Sequence, residues 1–387
     1  MFPSEAYILQ VQAEEKRQLP TFEYLERDFA QEVEQLASNY QLTGTKEVPI
    51  KMKIVLEDET PISRPPYRLA PKERKDVDAQ TDEWLEQGVI RTSNCEFSSN
   101  VVVAIKKDDS ARVCINYKPL NKVVIREKQP LLLIEDVVDQ LVNVKVYSTI
   151  DLKNGFLRVP IDEESRKYTS FVKPKGQWEF CKVPFGVYNS QPVFQRYVHY
   201  IFRELIKLGI VLIYLDDIVV LANTLDEALE HLRRLLEIAS AYGLQINWKK
   251  SKILQRQIEF LGYTIQENKI RPSKDKVQAL INFPVLRNLR KVQSFLGLAS
   301  YFRKFVKGFS KKASPLSDLL RKDVCFVFGE AQRNFFRKLK EALTMAPVLT
   351  IFDPRNETKV HTDASQDGFG AILMQKCSND QKWHPIY

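Results

Sequence analysis

The chain has 387 residues, of which 44% are hydrophobic, and this is enough for two or three domains with cores of their own. Its five cysteines are scattered without a CxxC pair or a Cys/His cluster, which argues against a disulfide framework and against a zinc site. The sequence shows no signal peptide and no long apolar run, so it predicts a soluble chain with no membrane partner.

The net charge of +9 is unevenly distributed. Residues 241–350 contain 22 Lys and Arg against 7 Asp and Glu, which gives this segment +15 and leaves −6 for the remainder. A basic segment beside an acidic remainder is typical of a nucleic-acid track next to a metal-binding centre. A solvated basic face is the alternative.

The N-terminal part of the chain predicts mostly peripheral structure. Residues 1–20 show no pattern, and apolar residues at helical spacing between Phe22 and Leu42 predict a helix that packs on the body of the protein. Alternation over residues 48–56 predicts a strand, and four prolines between 61 and 71 predict an extended connector. A helix is then predicted from Asp76 to Gln87.

The middle of the chain predicts short strands. Residues 101–105 and 113–115 form a predicted hairpin with a basic tip at Lys106–Ser110. Further strands are expected at 146–152, 167–172, 177–180, and on both sides of a turn within 210–221. A helix is expected from about Pro192, and a capping box at Thr224–Glu227 predicts the start of another.

The C-terminal part predicts two helices within residues 272–309, one helix from Glu330 to Leu343 and two strands at 359–365 and 368–373. An apolar stripe at helical spacing predicts a buried face in the first of these regions, with a basic side opposite to it. The stripe consists of Phe295, Leu298, Phe302, Phe305 and Phe309, and the basic side of Arg303, Lys304 and Lys307.

Three acids stand at the ends of predicted buried strands. Asp216 and Asp217 lie between two apolar runs, and Asp151 ends the strand that begins at Val146. If these strands are neighbours, three carboxylates meet at one edge of a sheet, and hard oxygen ligands of this kind suit Mg²⁺. Two such ions can stabilise the attacking and leaving oxygens of a phosphoryl transfer. The alternative is a plain hairpin whose turn is Asp-Asp, although its turn lacks the glycine that such turns favour.

Five segments resemble, in the same order, motifs of reverse transcriptases from gypsy-like LTR retrotransposon Pol polyproteins. They are Asp151–Phe156, Val183–Ser190, the Tyr214-Leu215-Asp216-Asp217 box, Phe260–Tyr263 and Phe295–Phe305. The resemblance runs from the Pro66-Tyr67-Arg68-Leu69 region to the end of the sequence. It implies an α+β right-hand polymerase fold with fingers, palm and thumb, followed by a truncated RNase H-like α/β domain.

The same resemblance implies an RNA-directed DNA polymerase, which is a nucleotidyltransferase that extends a primer 3′ end with dNTPs on an RNA or DNA template. It also implies a division of the chain into four parts. These are an N-terminal linker and peripheral helix (1–60), fingers and palm (61–270), thumb and connection (271–329), and the start of an RNase H-like domain (330–387).

Roles for individual residues follow from the resemblance alone. Asp151, Asp216 and Asp217 would bind two Mg²⁺ ions, with Mn²⁺ as the alternative, and Lys250 would be the general acid for the leaving pyrophosphate. The nucleotide would contact Lys107, Arg112, Phe156, Phe185 and Gly186, with Phe156 blocking a 2′-hydroxyl. The primer and template would contact Tyr214, Leu261 and Gly262.

Asp363 resembles the first catalytic acid of a retroelement RNase H. Only 24 residues follow it, so we expect no RNase H activity from this chain. The implied partners are an RNA template, a DNA primer, RNA–DNA hybrids, dNTPs and other Pol segments of a parent polyprotein. The implied location is a cytoplasmic retroelement particle or the nucleus.

Some positions depart from the family pattern, namely Asp109, Ala111, Asn116, Lys118 and Pro192. They motivate a second hypothesis, in which the chain is a decayed or co-opted retroelement protein that only binds nucleic acid. The intact acids argue against it. A third hypothesis, a viral-type RNA-dependent RNA polymerase, is disfavoured by Phe156 and by the segment around Asp363.

Overall fold

The computed structural model describes residues 24–105, 111–128, 133–322, 324–345, 347–365, 368–376 and 381–386. Its α-helices are α1 (Arg27–Ser38), α2 (Pro71–Glu86), α3 (Ile134–Asp139), α4 (Ser190–Ile201), α5 (Arg203–Lys207), α6 (Leu225–Ala241), α7 (Lys274–Ile281), α8 (Leu289–Tyr301), α9 (Phe309–Ser317) and α10 (Glu330–Thr344). Short 3₁₀ helices cover Leu120–Lys122, Gly155–Arg158, Glu163–Thr169, Arg303–Phe305 and Asp318–Leu320.

Within the described residues, the strands form four sheets. They are β1 (Ile90–Thr92), β2 (Ser99–Ile105), β3 (Ala111–Ile115), β4 (Val146–Ile150), β5 (Phe171–Lys173), β6 (Gly176–Phe180), β7 (Val211–Tyr214), β8 (Asp217–Ala222), β9 (Lys252–Gln255), β10 (Ile258–Phe260), β11 (Tyr263–Gln266), β12 (Lys269–Pro272), β13 (Leu349–Thr350), β14 (Thr358–Ser365), β15 (Gly368–Lys376) and β16 (Trp383–Pro385). The sheet orders are β1-β6-β5-β2-β3, β7-β8-β4-β9, β10-β11-β12-β13 and β14-β15-β16.

The chain divides into two compact units. Unit 1 comprises Met1–Leu132 and Ser148–Leu254, and unit 2 comprises Leu133–Tyr147 and Gln255–Tyr387. Both units are therefore built from segments that are not contiguous in sequence. The four-part division predicted from the sequence (1–60, 61–270, 271–329 and 330–387) stays a prediction, because compactness does not test it.

In unit 1, the five-stranded sheet contains the predicted hairpin of β2 and β3. All of its strand pairs are antiparallel except that of β2 with β5. These two strands are parallel, and Ser99 lies beside Phe171. Trp84 of α2 packs edge-on against the rings of Phe171 and Phe180, so the helix covers this sheet with aromatic side chains. The predicted tip of the hairpin, Lys106–Ser110, lies outside the described residues.

The second sheet of unit 1 carries the acids. Its strand β8 is almost entirely buried, as the continuous apolar run after Asp217 predicts. Helix α6 packs on β8 and begins at the predicted capping box. There, Thr224 Oγ1 accepts from the N–H of Glu227 at 3.2 Å, and the Glu227 carboxylate accepts from the N–H of Asn223 at 2.7 Å.

Two predicted strands are wrong in extent. Residues 48–56 form only isolated bridges, Met52 with Ile161 and Leu56 with Val124. Their alternation reflects burial of every second side chain in an extended segment that has no continuous strand partner. The strand predicted at 167–172 shrinks to β5, because Glu163–Thr169 winds into a 3₁₀ helix.

Two helices begin earlier than predicted. Helix α2 starts with Pro71, where the missing N–H has no intrahelical role, and the Glu73 carboxylate accepts from the N–H of Ala70 at 2.9 Å. Helix α4 starts at Ser190, which places Pro192 within the first turn. There its ring costs no helical hydrogen bond, so this departure from the family pattern does not disturb the helix.

In unit 2, helix α8 ends at Tyr301, so the predicted apolar stripe does not continue along one helix. Phe295, Phe302 and Phe305 are nevertheless buried, the last within a separate 3₁₀ turn. Lys304, predicted on the basic side opposite the stripe, has its ammonium 4.9 Å from the centre of the Tyr263 ring, and burial lowers its pKa.

The predicted strands near the C-terminus are present as β14 and β15, which pair antiparallel from Thr358–Gln375 to Ser365–Gly368. The short strand β13 joins the other sheet of unit 2 at β12. Among the described residues, no helix combines the length and apolar character needed to span a membrane.

Candidate active site

The Asp-Asp segment forms a tight hairpin turn. Tyr214 pairs with Asp217 across β7 and β8, so the two turn residues are Leu215 and Asp216. Leu215 takes the left-handed conformation with φ of +54°, which costs a non-glycine residue about 1 kcal/mol. The chain therefore turns at the predicted place without a glycine, through Leu215 and Asp216 rather than through an Asp-Asp turn. The turn exposes Asp216 at its tip and Asp217 at the first position of β8.

Asp151 follows β4, which lies directly beside β8 in the sheet. Its N–H donates to Ser251 Oγ at 3.1 Å, and its carbonyl oxygen accepts from the N–H of Asn247 at 2.8 Å. The backbone of Asp151 is thereby fixed to the segment that precedes β9.

The three carboxylates influence one another. Burial, followed by repulsion from Asp217 and Asp151, raises the pKa of Asp216 to about 6. Burial and repulsion from Asp151 also raise the pKa of Asp217. Both side chains keep contact with solvent, so the desolvation is partial. The structure thus brings together the three acids that the sequence places at strand ends.

This set of donors fits a hard divalent cation, because bound positive charge would relieve the repulsion that raises these pKa values. Within the described part of the chain, no three Asp, Glu, His or Cys side chains are close enough to hold an ion by themselves. Mg²⁺ in particular is commonly bound by one or two carboxylates together with substrate phosphates and water. The acids therefore suit an ion whose shell is completed by a phosphorylated substrate.

An aromatic cluster contains the predicted sugar-contacting residue. The ring of Phe156 stacks on Phe194 with centroids 4.4 Å apart and contacts Phe185 at 4.8 Å. Phe156 is only 5% exposed. Gly155 is required beside it, because an added Cβ would lie 2.8 Å from Cζ of Phe194.

The other predicted nucleotide-binding residues continue this cluster. The ring of Phe185 is 44% exposed, and the Arg112 guanidinium lies 4.9 Å from its centre. Gly186 follows with φ of +93°, a conformation that favours glycine. Four of the five predicted residues are therefore contiguous, and Lys107 lies outside the described residues.

Lys250 is exposed, and its backbone belongs to the segment that is bonded to Asp151. Its N–H donates to the carbonyl oxygen of Asn247 at 3.1 Å. Tyr214 is partly buried at the end of β7. The structure therefore places both residues in segments directly attached to the acids.

Leu261 and Gly262 lie in unit 2 and form the two-residue turn between β10 and β11, since Phe260 pairs with Tyr263. Their φ values are +48° and +77°. The Tyr301 hydroxyl donates to the carbonyl oxygen of Leu261. The N–H of Ser273 donates to the carbonyl oxygen of Gly262 at 2.9 Å. The turn is thus held from both sides.

Asp363 is exposed on β14, opposite Gly370 of β15. Sequence reasoning missed several residues that hold the sites in place, chiefly Asn121, Ser251 and Tyr301. Each acts through one or two hydrogen bonds to a distant backbone atom, and no periodicity or spacing in the sequence signals such a bond.

Two known protein families match parts of the chain. A family described as "Reverse transcriptase (RNA-dependent DNA polymerase)" matches residues 105–265, and one described as "RNase H-like domain found in reverse transcriptase" matches residues 328–387. Residues 105–265 belong to the reverse transcriptase family. This confirms the resemblance drawn from the five motifs, and members of this RNA-directed DNA polymerase family generally depend on divalent metal ions.

Similar curated proteins are Pol polyproteins of transposons. The "Retrovirus-related Pol polyprotein from transposon 297" of Drosophila melanogaster is 31% identical over 343 residues, which cover 87% of this chain and 32% of that protein. That from transposon opus of the same organism is 32% identical over 85% of this chain and 34% of its own length. The Tf2-3 polyprotein of Schizosaccharomyces pombe is 29% identical over 89% of this chain and 26% of its own length. The chain thus spans about a third or less of these relatives.

Solved structures support the fold. A foamy viral protease-reverse transcriptase in complex with double-stranded DNA superposes with a TM-score of 0.81 at 23% identity and covers 98% of this chain and 79% of that one. The same enzyme in complex with an RNA/DNA hybrid gives a TM-score of 0.77, and the match covers 98% of this chain and 52% of that one. The predicted α+β polymerase fold with an RNase H-like region is therefore confirmed.

Proposed function

We propose that this chain extends a primer 3′ end with dNTPs on an RNA or DNA template by two-metal phosphoryl transfer. The observation that carries the proposal is the convergence of Asp151, Asp216 and Asp217, where burial first and repulsion between the carboxylates second raise the pKa values of Asp216 and Asp217. A polymerase site needs such a cluster, because catalysis rests on positioning and on charge stabilisation.

In this mechanism Asp151, Asp216 and Asp217 would hold two Mg²⁺ ions, with Mn²⁺ as the alternative. When bound, such ions would supply activation of the primer 3′-hydroxyl and neutralisation of the leaving pyrophosphate. Lys250 delivers a proton to the pyrophosphate from the segment attached to Asp151. Its exposed side chain and four-carbon reach suit this role.

The aromatic cluster selects and holds the incoming nucleotide in this proposal. Arg112, with Lys107, neutralises the triphosphate, and Phe156 lies under the sugar and excludes a 2′-hydroxyl. Gly186 allows the nucleotide to approach the backbone. Phe156 suits a steric gate because Phe194 and Phe185 fix its ring on two sides.

The proposed macromolecular partners are an RNA template, a DNA primer and the hybrid they form. Foamy viral relatives in fold were solved with double-stranded DNA and with an RNA/DNA hybrid, which supports this choice. Tyr214, Leu261 and Gly262 would contact primer and template. Pol polyprotein relatives support a precursor context with other Pol segments. The proposed location is a cytoplasmic retroelement particle or the nucleus. Absence of RNase H activity around Asp363 remains a prediction, tested by incubating the chain with a labelled hybrid.

The deciding experiment is primer extension on an RNA template with dNTPs and Mg²⁺, comparing the parent with Asp216→Asn. We expect extension by the parent and a loss of at least about a thousandfold in the variant, because one metal-holding charge is removed. Asp82→Asn, at an exposed position on α2, is the matched control and should extend like the parent.

Hybrid binding, measured in parallel, separates the alternatives. Retained binding without extension by any variant would overturn the polymerase proposal in favour of a protein that only binds nucleic acid. The departures Asp109, Ala111 and Asn116 in and after the predicted hairpin motivate that second candidate. Incorporation of NTPs in preference to dNTPs would instead indicate an RNA polymerase.

A further inference from the structure

A single amide side chain brackets the backbone next to the aromatic cluster. Asn121 lies in the 3₁₀ turn Leu120–Lys122 of unit 1. Its Nδ2 donates to the carbonyl oxygen of Gly186 at 2.7 Å, and its Oδ1 accepts from the N–H of Tyr188 at 2.8 Å. One side chain therefore satisfies both a donor and an acceptor of a segment that is neither helix nor strand.

A second amide fastens the same two segments in the opposite direction. Asn189 Nδ2 donates to the carbonyl oxygen of Ile125 at 2.9 Å, and its Oδ1 accepts from the N–H of Glu127 at 3.2 Å. The guanidinium of Arg126 lies 4.3 Å from the centre of the Tyr188 ring. Residues 121–127 and 186–189 are thus joined by four hydrogen bonds and one cation–π contact.

The bracketed segment carries Phe185 at its start. Phe185 is exposed on one side, contacts Phe156 on another, and bears the Arg112 guanidinium on its ring. Gly186 has no Cβ and takes a positive φ, so the backbone at this point has little conformational restraint of its own. Asn121 restrains it through its bonds to Gly186 and Tyr188, and Ser190 Oγ adds one bond to the carbonyl oxygen of Pro184 at 2.9 Å, before Phe185.

We infer that Asn121 is a positioning residue for the nucleotide site. Its side chain holds the Gly186–Tyr188 backbone so that Phe185 stays between Arg112 and Phe156. The inference rests on the proposed function. Asn121 acts through the backbone, and through Phe185 it fixes both the group that binds the triphosphate and the wall that limits the sugar. Small displacements of such groups reduce turnover and selectivity together.

A purely structural Asn121 would affect only stability when it is replaced. A positioning Asn121 instead affects the KM for dNTP and the preference for dNTP over NTP, because both depend on where Phe185 lies. The dissociation constant for primer–template should not change, since the bracket fixes the residues predicted to contact the nucleotide.

The test compares the parent with Asn121→Asp, Asn121→Ala and the control Asn39→Ala, whose position at the end of α1 is exposed. Asn121→Asp keeps the shape and the acceptor for Tyr188 but loses the donor to Gly186. We expect about a tenfold rise in KM for dNTP with Asn121→Asp and more with Asn121→Ala, as loss of one or two hydrogen bonds implies. The preference for dNTP over NTP should fall at least threefold in both, and Asn39→Ala should match the parent.

Amide hydrogen exchange at Tyr188 gives a readout that does not depend on activity. Exchange there should accelerate in Asn121→Ala and stay slow in Asn121→Asp, which retains the acceptor. If Asn121→Ala does not fold, the isosteric Asn121→Asp alone still provides the kinetic test.

The outcomes distinguish the inference from the function it rests on. An inactive parent overturns the proposed polymerase and the inference with it. An active parent with unchanged KM and sugar preference in folded Asn121→Asp and Asn121→Ala overturns the inference alone. A weakened primer–template affinity with unchanged KM for dNTP would also overturn it, because Asn121 would then support a different site.

Discussion

At the scale of single residues, Phe156 depends on its neighbours for its orientation. Phe194 stacks on one face of its ring, and the absence of a Cβ at Gly155 makes room for this contact. Packing therefore fixes the orientation of the ring, which in the proposed function excludes a ribose 2′-hydroxyl. A gate built in this way is rigid because its support is packed rather than hydrogen-bonded.

We predict that Phe156→Ala admits NTPs, since the group that excludes the 2′-hydroxyl is removed. The variant should also lose about 3 kcal/mol of unfolding free energy, as is typical of a buried phenylalanine replaced by alanine. Incorporation of NTP relative to dNTP and urea unfolding are the two measurements. Phe97→Ala is the control, because Phe97 is equally buried and packs on Tyr168 instead. It should lose similar stability and keep dNTP selectivity, and equal loss of selectivity in both variants would contradict the gate.

At the scale of elements, the β10–β11 turn is held by helix α8. The rings of Tyr263 and Tyr301 stack with centroids 5.4 Å apart, and the Tyr301 hydroxyl reaches the carbonyl oxygen of Leu261. The stack fixes the hairpin as a whole, whereas the hydroxyl fixes the turn itself. These two contributions can be separated by removing the hydroxyl alone.

We predict that Tyr301→Phe loosens the turn at a cost of about 1 kcal/mol, the usual value of one hydrogen bond, and keeps the ring stack. If this turn contacts the primer, the KM for primer–template should rise about fivefold while the KM for dNTP stays constant. Primer-extension kinetics measure both. Tyr67→Phe, at an exposed tyrosine, is the control. An unchanged primer KM would remove Leu261 and Gly262 from the predicted primer contacts.

A buried carboxylate joins several segments of unit 2. Asp353 accepts from Nε and Nη2 of Arg355 at 2.9 Å each and from Nδ2 of Asn143 at 3.1 Å. Gln375 of β15 donates to the carbonyl oxygen of Asp353 and accepts from its N–H. The bonds from Arg355 lower the pKa of Asp353 to about 2.

A pH dependence of stability follows from this shift. The folded-state pKa of Asp353 lies below the value of an unfolded aspartate, so its contribution is present above about pH 4 and is lost as the pH falls toward 2. We predict that Asp353→Asn lowers the unfolding free energy by about 1–2 kcal/mol at pH 7, and that this difference shrinks between about pH 4 and pH 2. Urea unfolding across this range measures it, with Asp82→Asn as the control. A difference that persists unchanged at pH 2.5 would show that the ionised form of Asp353 is not what stabilises the unit.

At the scale of the whole molecule, positive charge is concentrated in residues 241–350, at +15 against −6 elsewhere. Contacts between such a segment and a phosphate backbone release counterions. We predict that the dissociation constant for an RNA–DNA hybrid rises roughly a thousandfold between 50 and 200 mM KCl, as about six phosphate contacts would require. Fluorescence anisotropy at several salt concentrations measures it. A dissociation constant that hardly changes with salt would contradict a basic nucleic-acid track.

The sequence predicted what depends on local pattern. Apolar periodicity and turn chemistry predict the strands next to Asp151 and Asp216, the capping box of α6, and the strands β14 and β15. The conformation of Leu215 could not be predicted in this way, because strand pairing on both sides overrides the preference for glycine. The hydrogen bonds of Asn121 could not be predicted either, since a bond between residues 121 and 186 depends on tertiary folding. The 48–56 segment shows the reverse case, where alternation reports burial without a sheet.

The interleaved path of the chain has a consequence for the order in which the protein can fold during synthesis. All segments of unit 1 have been made once Leu254 emerges, whereas Leu133–Tyr147 belongs to unit 2 and must wait for partners encoded after residue 255. Asn143, for example, bonds to Asn268 and Asp353. Because domains generally fold as soon as their chain is available, we expect residues 133–145, which precede β4, to remain a loop on an otherwise finished unit 1 until translation has passed Asp353. A ribosome paused between these two points would therefore carry a unit 1 whose acid cluster is complete and a unit 2 that is still unfolded.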